Sequence, residues 1–547
     1  MTFQQSSRRR PRRAATVVAV LTTLLLGLAS PAQAGGGSGL TSGADPAVVT
    51  TSKGKLRGEV KPGYRVFRGI PYAAPPVGEL RWMPPKPAPR WSGVRDATKP
   101  GTMCPQDAGP QNPPSLDENC LFAGVTVPDR RSAAKRLPVI VWIHGGGGTG
   151  GSGDWYDPNL LAQRGDVVVV TINYRLGMLA NLAHPALPQS GHLNIADQQE
   201  ALRWVKRDIA AFGGDPGNVT IMGESAGGSA ICGQLASPSA AGLFHRAIIQ
   251  SGLCYLTGRD NEIAPGAKAA PANPDVTDYT GGRAAAAALG CADAATAAAC
   301  LRARPVDKLL ATQTSHPDMG YLATSRVLPV PTRRALETGA VNRVPVLIGA
   351  TAEEGTLFVY FGYDLAGKPV TAEQYPDLVR WIYGDDATEV LKRYPVSAYR
   401  SPGTALAAAQ TDHVWICPSL TAAGHLARKA PVYNYEFADP APPLWKVVPL
   451  AGPTHGSELQ YLRLLDGSYS DPSSFTAGQR VLSNQMIDYW TRFARSGDPN
   501  GAGTPRWKRL DPRLNNAQEL APGSGGIRRI DQAKKHNCAF WAEADRP

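Results

Sequence analysis

The chain has 547 residues, 43% of them hydrophobic, with 57 Lys and Arg against 45 Asp and Glu for a formal charge of +12. Ordinary apolar content at this length can bury a large core, which excludes a disordered, collagen-like or small disulfide-stapled chain. The basic excess would suit a nucleic-acid or acidic-surface partner, but its distribution says otherwise.

Residues 1–34 carry Arg8, Arg9, Arg10, Arg12 and Arg13 without one acid, then the apolar run Ala14–Ala29 and the triplet Ala32-Gln33-Ala34. A basic start, a short apolar stretch and a small-x-small triplet predict a secretory signal rather than a membrane anchor. Removing its five arginines leaves 52 basic against 45 acidic residues, a charge of +7. Ser7-Arg8-Arg9-Arg10-Pro11 matches a twin-arginine signal only loosely, so both export routes stay open. Residues 35–45 read as a flexible mature N-terminus and 46–547 as one catalytic domain with insertions. No later stretch has the length of a membrane span and no nucleic-acid motif is present, so neither partner is expected.

Within that domain, Val48–Val60 reads as a hairpin around Lys53-Gly54. Leu137–Ile143 and Val167–Ile172 are continuous apolar runs, the pattern of strands buried on both faces of a parallel sheet. Leu202, Val205, Ile209 and Phe212 recur at helical spacing within Ala196–Phe212. Strands follow at Val219–Met222, Arg246–Gln250, Val344–Ile348 and Val432–Phe437, with a small-residue helix from Ala226. This alternation predicts an α/β fold with helices on both faces of a mostly parallel, twisted sheet. Pro265–Ala298 and Ser470–Phe493 read as insertions, the second ending in an amphipathic helix.

Cys104, Cys120, Cys232, Cys254, Cys291, Cys300, Cys417 and Cys538 are even in number, without a C-x-x-C pair, and read as disulfides in an exported chain. Proximity favours Cys104–Cys120 and Cys291–Cys300; the remaining four stay open.

Two motifs carry chemistry. Gly223-Glu224-Ser225-Ala226-Gly227 joins a strand to a helix, the setting in which small flanking residues allow a sharp turn that exposes a serine hydroxyl. Upstream, His144-Gly145-Gly146-Gly147 ends a buried strand and offers backbone N–H groups without side chains in front of them. With the N–H of Ala226, those of Gly146 and Gly147 are suited to hold an oxyanion, each contributing roughly 3 kcal/mol.

These motifs, with Phe67-Arg68-Gly69-Ile70-Pro71-Tyr72-Ala73, Asp117-Glu118-Asn119-Cys120-Leu121, Asn173-Tyr174-Arg175 and Phe212-Gly213-Gly214-Asp215-Pro216, resemble the type-B carboxylesterases, the carboxylesterase/cholinesterase branch of the α/β-hydrolases. The resemblance spans nearly the whole predicted mature chain. It implies hydrolysis of carboxylic esters by a Ser–His–Glu triad through an acyl-enzyme, without metal or organic cofactor. Glu354, before Gly355, is similar to the family's acid turn, with Glu353 as the local alternative; His455, in Thr454-His455-Gly456, is similar to its base. Glu224 resembles the family's buried carboxylate beside the nucleophile, either tuning the imidazolium or supporting the elbow. His144 is expected to fix the glycine loop and His413 to pack or to act through another residue. His184, His192, His245, His316, His425 and His536 read as structural or surface residues. The resemblance further implies the bridges Cys104–Cys120, Cys291–Cys300 and Cys417–Cys538, which leaves Cys232 and Cys254 for a fourth.

Two departures bear on substrate. The Cys104–Cys120 loop holds no Trp, whereas the cholinesterase branch of the family it resembles carries its choline-binding Trp there, which disfavours a choline-like cation. Gly148 stands where the family that the chain resembles usually has an aromatic residue after its oxyanion glycines, which predicts tolerance of bulky acyl groups. A lipase or amidase on the same triad is the alternative reading, and a non-catalytic binding protein a more distant one, disfavoured by the intact Ser225, Glu354 and His455.

Overall fold

The computed structural model describes residues 45–109, 114–129, 135–255, 258–267, 276–320, 322–443, 452–465 and 472–545. The predicted export signal lies outside them, as does all but the last residue of the segment 35–45.

Among the described residues, eleven strands form the main sheet: β1 (Glu59–Lys61), β2 (Tyr64–Pro71), β3 (Phe122–Pro128), β4 (Leu137–Ile143), β5 (Val168–Ile172), β6 (Gly214–Glu224), β7 (Arg246–Gln250), β8 (Val346–Thr351), β9 (Val432–Phe437), β10 (Asn516–Leu520) and β11 (Ile527–Asp531). Their order is β11-β10-β9-β8-β7-β6-β4-β5-β3-β2-β1. The pairs from β5 through β10 are all parallel, and antiparallel strands close both edges. The chain passes from β4 to β5 on one side and then to β6 on the other. That reversal opens a crevice at the C-terminal ends of β4 and β6, where ligands bind in open α/β sheets.

Alternation along β4 explains its apolar run. Val139, Val141 and Ile143 pack on one face with Leu202 and Val205 of α1 (Leu193–Asp208) and Ile231 and Leu235 of α2 (Ala226–Ala236). Ile140 and Trp142 pack on the other with Met486, Trp490 and Phe493 of α3 (Ala477–Ser496). A strand buried on both faces has no polar position, so it reads as unbroken hydrophobicity. Helix α3 starts at a reciprocal Thr476/Gln479 capping box and stops at left-handed Gly497, so its ends as well as its apolar stripe are encoded locally.

The predicted hairpin is shorter than Val48–Val60. Val48–Thr50 pairs with Lys55–Arg57 in a small separate sheet, whereas Glu59–Lys61 leaves to pair with β2. The strand predicted at Val219–Met222 begins earlier, at Gly214, and that at Val344–Ile348 runs instead from Val346 to Thr351.

Four disulfides join Cys104–Cys120, Cys232–Cys254, Cys291–Cys300 and Cys417–Cys538. The last spans 121 positions, for which chain-entropy arguments give about 5 kcal/mol of stabilisation. Among the described residues, no helix is long and apolar enough to cross a membrane. Pro46–Pro547 forms one compact unit.

Candidate active site

Ser225 stands between β6 and α2 with φ +57° and ψ −124°, a conformation that costs a non-glycine residue about 1–3 kcal/mol. Its N–H donates to the Gln250 carbonyl at 2.9 Å, tying the turn to the end of β7. A Cβ on Gly227 would lie 2.0 Å from the Ile143 carbonyl oxygen, so the elbow can seat against β4 only with glycine there. The strain is thereby imposed by packing, and the serine hydroxyl makes no hydrogen bond to a described residue.

Beside it, the loop after β4 turns on Gly146, at φ +102°. The Gly146 and Gly147 N–H groups have no acceptor among the described residues. The Ala226 N–H heads α2, where the first amides lack intrahelical partners. His144 braces this loop: its Nδ1 lies 2.8 Å from the Gly145 carbonyl and its ring stacks on Tyr174 at 4.3 Å. The Tyr174 hydroxyl donates to the His144 carbonyl at 2.6 Å. Burial lowers the His144 imidazole to about 4, so it is neutral and rigidly packed.

Glu354 follows β8 and is fully buried. Its Oε1 accepts from the Ser251 hydroxyl at 2.6 Å and the Thr351 N–H at 2.7 Å, while Oε2 pairs with His455 Nδ1. Glu353, one residue earlier, points away and pairs with Arg400 at the surface. A backbone bridge between Glu353 and Thr454 joins the acid turn to the histidine loop. Glu354 and His455 therefore meet through backbone pairing as well as through their side chains.

The other imidazole nitrogen, Nε2, lies 3.1 Å from Glu224 Oε1, the residue immediately before Ser225. The alignment is too poor for a hydrogen bond, so this contact is electrostatic. The structure thus brings the ring to the elbow but rests Nε2 on Glu224 rather than on the serine hydroxyl. Burial disfavours the imidazolium, yet the carboxylates of Glu224, Glu354 and Glu458 outweigh it and raise His455 to about 9. Burial raises the Glu224 carboxyl too; His455 holds it down and Glu354 pushes it up, leaving it at about 7. For Glu458, burial and then the neighbouring Glu224 and Glu354 push it to about 8.

Ser225, Ala226 and Gly147 line one cavity of about 680 Å³, whose walls include Phe358, Trp415, Leu253 and Leu322. Gly146 and Gly148 do not line it. A Cβ on Gly148 would meet open space, and the aromatic wall comes from Phe358 and Trp415, whose rings stack at 4.6 Å. Phe358 also meets the His455 ring edge-on at 5.1 Å. A somewhat larger cavity of about 740 Å³, between His413, Arg259 and Trp541, holds none of the predicted catalytic groups. Chemistry, and not volume, separates the two.

Sequence reasoning missed Glu458, Ser251 and the two aromatic wall residues. Glu458 carried a signal, an acid three positions after His455 on the single-turn helix Ser457–Gln460. So did Ser251, directly after β7 and at the same C-terminal end of the parallel strands as Ser225. His192, read as structural, lines the Ser225 cavity and lies 3.0 Å through Nδ1 from the Ser325 hydroxyl. His413 sits between Glu262 and Asp545 at 2.6 and 2.9 Å. His536 sits between Asp412 and Glu436 at 2.6 and 2.9 Å, a buried charged cluster away from the serine.

A profile of the carboxylesterase family matches residues 45–541. Cocaine esterase of Homo sapiens is 32% identical over 91% of this chain and 91% of its own. Para-nitrobenzyl esterase of Bacillus subtilis is 34% identical over 83% of this chain and 90% of its own. Pyrethroid hydrolase Ces2e of Rattus norvegicus is 34% identical, covering 85% and 84%. With a mostly parallel sheet flanked by helices, this chain belongs to the carboxylesterase family and is a carboxylic ester hydrolase of the α/β-hydrolase fold.

Proposed function

We propose that Ser225 is the nucleophile, His455 the general base and Glu354 the carboxylate that orients it. The observation that supports this most is the hydrogen bond from His455 Nδ1 to buried Glu354, with the opposite ring nitrogen turned toward the elbow that bears Ser225. Neutral His455 takes the Ser225 proton as the hydroxyl oxygen bonds to the ester carbonyl carbon. The oxygen of the tetrahedral intermediate is held by the N–H groups of Gly146, Gly147 and Ala226. The imidazolium then gives its proton to the leaving alcohol as the C–O bond breaks, and water, deprotonated by the same ring, releases the acid from Ser225. Nε2 moves from Glu224 to the hydroxyl for this step, a tightening familiar between free and substrate-bound enzymes. Because the surrounding carboxylates favour imidazolium, activity rises on the alkaline side of the ordinary histidine value.

The cavity and the relatives, named for cocaine, pyrethroids and a para-nitrobenzyl group, support bulky esters as substrates. Four disulfides support an exported protein, in keeping with the signal read in residues 1–34. Wild type and Ser225→Ala compared on a short p-nitrophenyl ester, an anilide and an emulsified triglyceride test the reading. Ester cleavage by wild type alone is expected; equal turnover by both proteins overturns it.

A further inference from the structure

The cavity that holds Ser225 is unusual in its charge inventory. Among the described residues, His192 and Arg333 are the only titratable side chains lining it, and no Asp or Glu does. Burial lowers His192 to about 4, so that ring is neutral at pH 7. Among the described lining residues this leaves Arg333, ion-paired with Glu337, as the permanent charge.

Its guanidinium is also positioned. Nε donates to Glu337 Oε1 at 2.9 Å, four residues along the short helix Thr332–Thr338, and Cζ lies 5.5 Å from the Tyr255 ring centroid. Arg333 stands between two cavities: it lines this one and, together with Glu337 and Tyr255, the adjoining larger one, whereas neither of those partners lines this one. The two remaining guanidinium nitrogens have no acceptor among the described residues. Two parallel N–H groups in a fixed fork match the two oxygens of a carboxylate. An oily cavity with one such fork on its wall gives an ester bearing a remote carboxylate a partner, and offers an ammonium no carboxylate among the described lining residues.

We propose that Arg333 is a specificity-determining residue that selects esters carrying a carboxylate remote from the scissile bond. This rests on Ser225 being the nucleophile in the same cavity. The Arg333 side chain is 51% exposed, so solvent screening holds the preference to roughly fivefold.

The test uses matched esters. On the acyl side, mono-p-nitrophenyl adipate and suberate are compared with their ω-carboxamides; on the alcohol side, 4-butyryloxybenzoate is compared with its benzamide. The readout is the carboxylate-to-carboxamide ratio of kcat/KM at low salt. Wild type should favour the carboxylate in at least one pair. Arg333→Gln should lower that ratio by about fivefold, Arg333→Lys should retain part of it, and Arg513→Gln, a surface charge outside the cavity, should leave it unchanged. Carboxamide esters cleaved with a ratio that Arg333→Gln does not move in any pair overturn the assignment to Arg333 alone. Wild type that cleaves no member of any pair overturns the serine-esterase reading and this one with it.

Discussion

Replacing Glu224 by Gln removes a carboxylate 3.1 Å from His455 Nε2 while nearly preserving its shape. A carboxylate beside imidazole favours the protonated ring, so its loss lowers the His455 pKa and frees the base at lower pH. Glu224, held near 7, is ionised across the rising limb set by His455 near 9, so its charge is present where the effect is read. Two unit charges at this distance interact by about 5 kcal/mol at an effective dielectric of about 20, an upper bound of nearly four pH units. Glu354 adds a hydrogen bond to its own coulombic pull, but Glu224 exerts the largest coulombic pull of the three carboxylates that lift His455 from 6.5 to about 9. Its removal should therefore move the limb down by at least about one pH unit. The assay is kcat/KM for a neutral p-nitrophenyl ester between pH 5 and 10, corrected for spontaneous hydrolysis. A limb that stays in place or moves upward refutes the electrostatic account of this site.

The acid turn gives a paired prediction: Glu354→Gln should lower kcat by roughly three to four powers of ten, while Glu353→Gln, which breaks only a surface pair with Arg400, should stay within about twofold. Similar losses in both variants, with melting temperatures unchanged, would contradict the choice between them. A third prediction concerns stability. Burial lowers His536, but Asp412 and Glu436 overcome it and raise the ring to about 10. The folded state then holds a proton that the unfolded chain releases above about 6.5, so this contribution is whole below 6.5 and is lost as pH rises toward 10. The wild-type melting temperature should fall across that window, and more steeply than that of His536→Gln; equal slopes would contradict the assignment.

The sheet and the elbow were legible for physical reasons. Strands such as β4 and β5 are buried on both faces, so their sequence is a run of Val and Ile that no other local structure explains as well. Gly223 to Gly227 announce a turn so tight that the chain can contain little else there. The limits of β6 were less visible, because Asp215-Pro216-Gly217 look like turn residues although the strand passes through them. The electrostatics were least visible. His536 meets partners 124 and 100 residues away, and nothing local distinguishes it from a surface histidine. Glu458 lay within the histidine loop already singled out, but only the fold shows that Glu224, Glu354 and Glu458 converge on one imidazole. Gly148, read as a missing ring, does not line the cavity, which takes its aromatic wall from Phe358 and Trp415, residues that only tertiary packing brings to Ser225.

The central claim is that Ser225 forms a covalent acyl-enzyme. It is tested most directly by treating the folded protein with a fluorophosphonate and locating the adduct by peptide mass spectrometry. One adduct on Ser225, formed in step with loss of esterase activity and absent from Ser225→Ala and much slowed in His455→Gln, is the predicted result. Full inactivation with the adduct on another residue, or undiminished ester hydrolysis by Ser225→Ala, would contradict it.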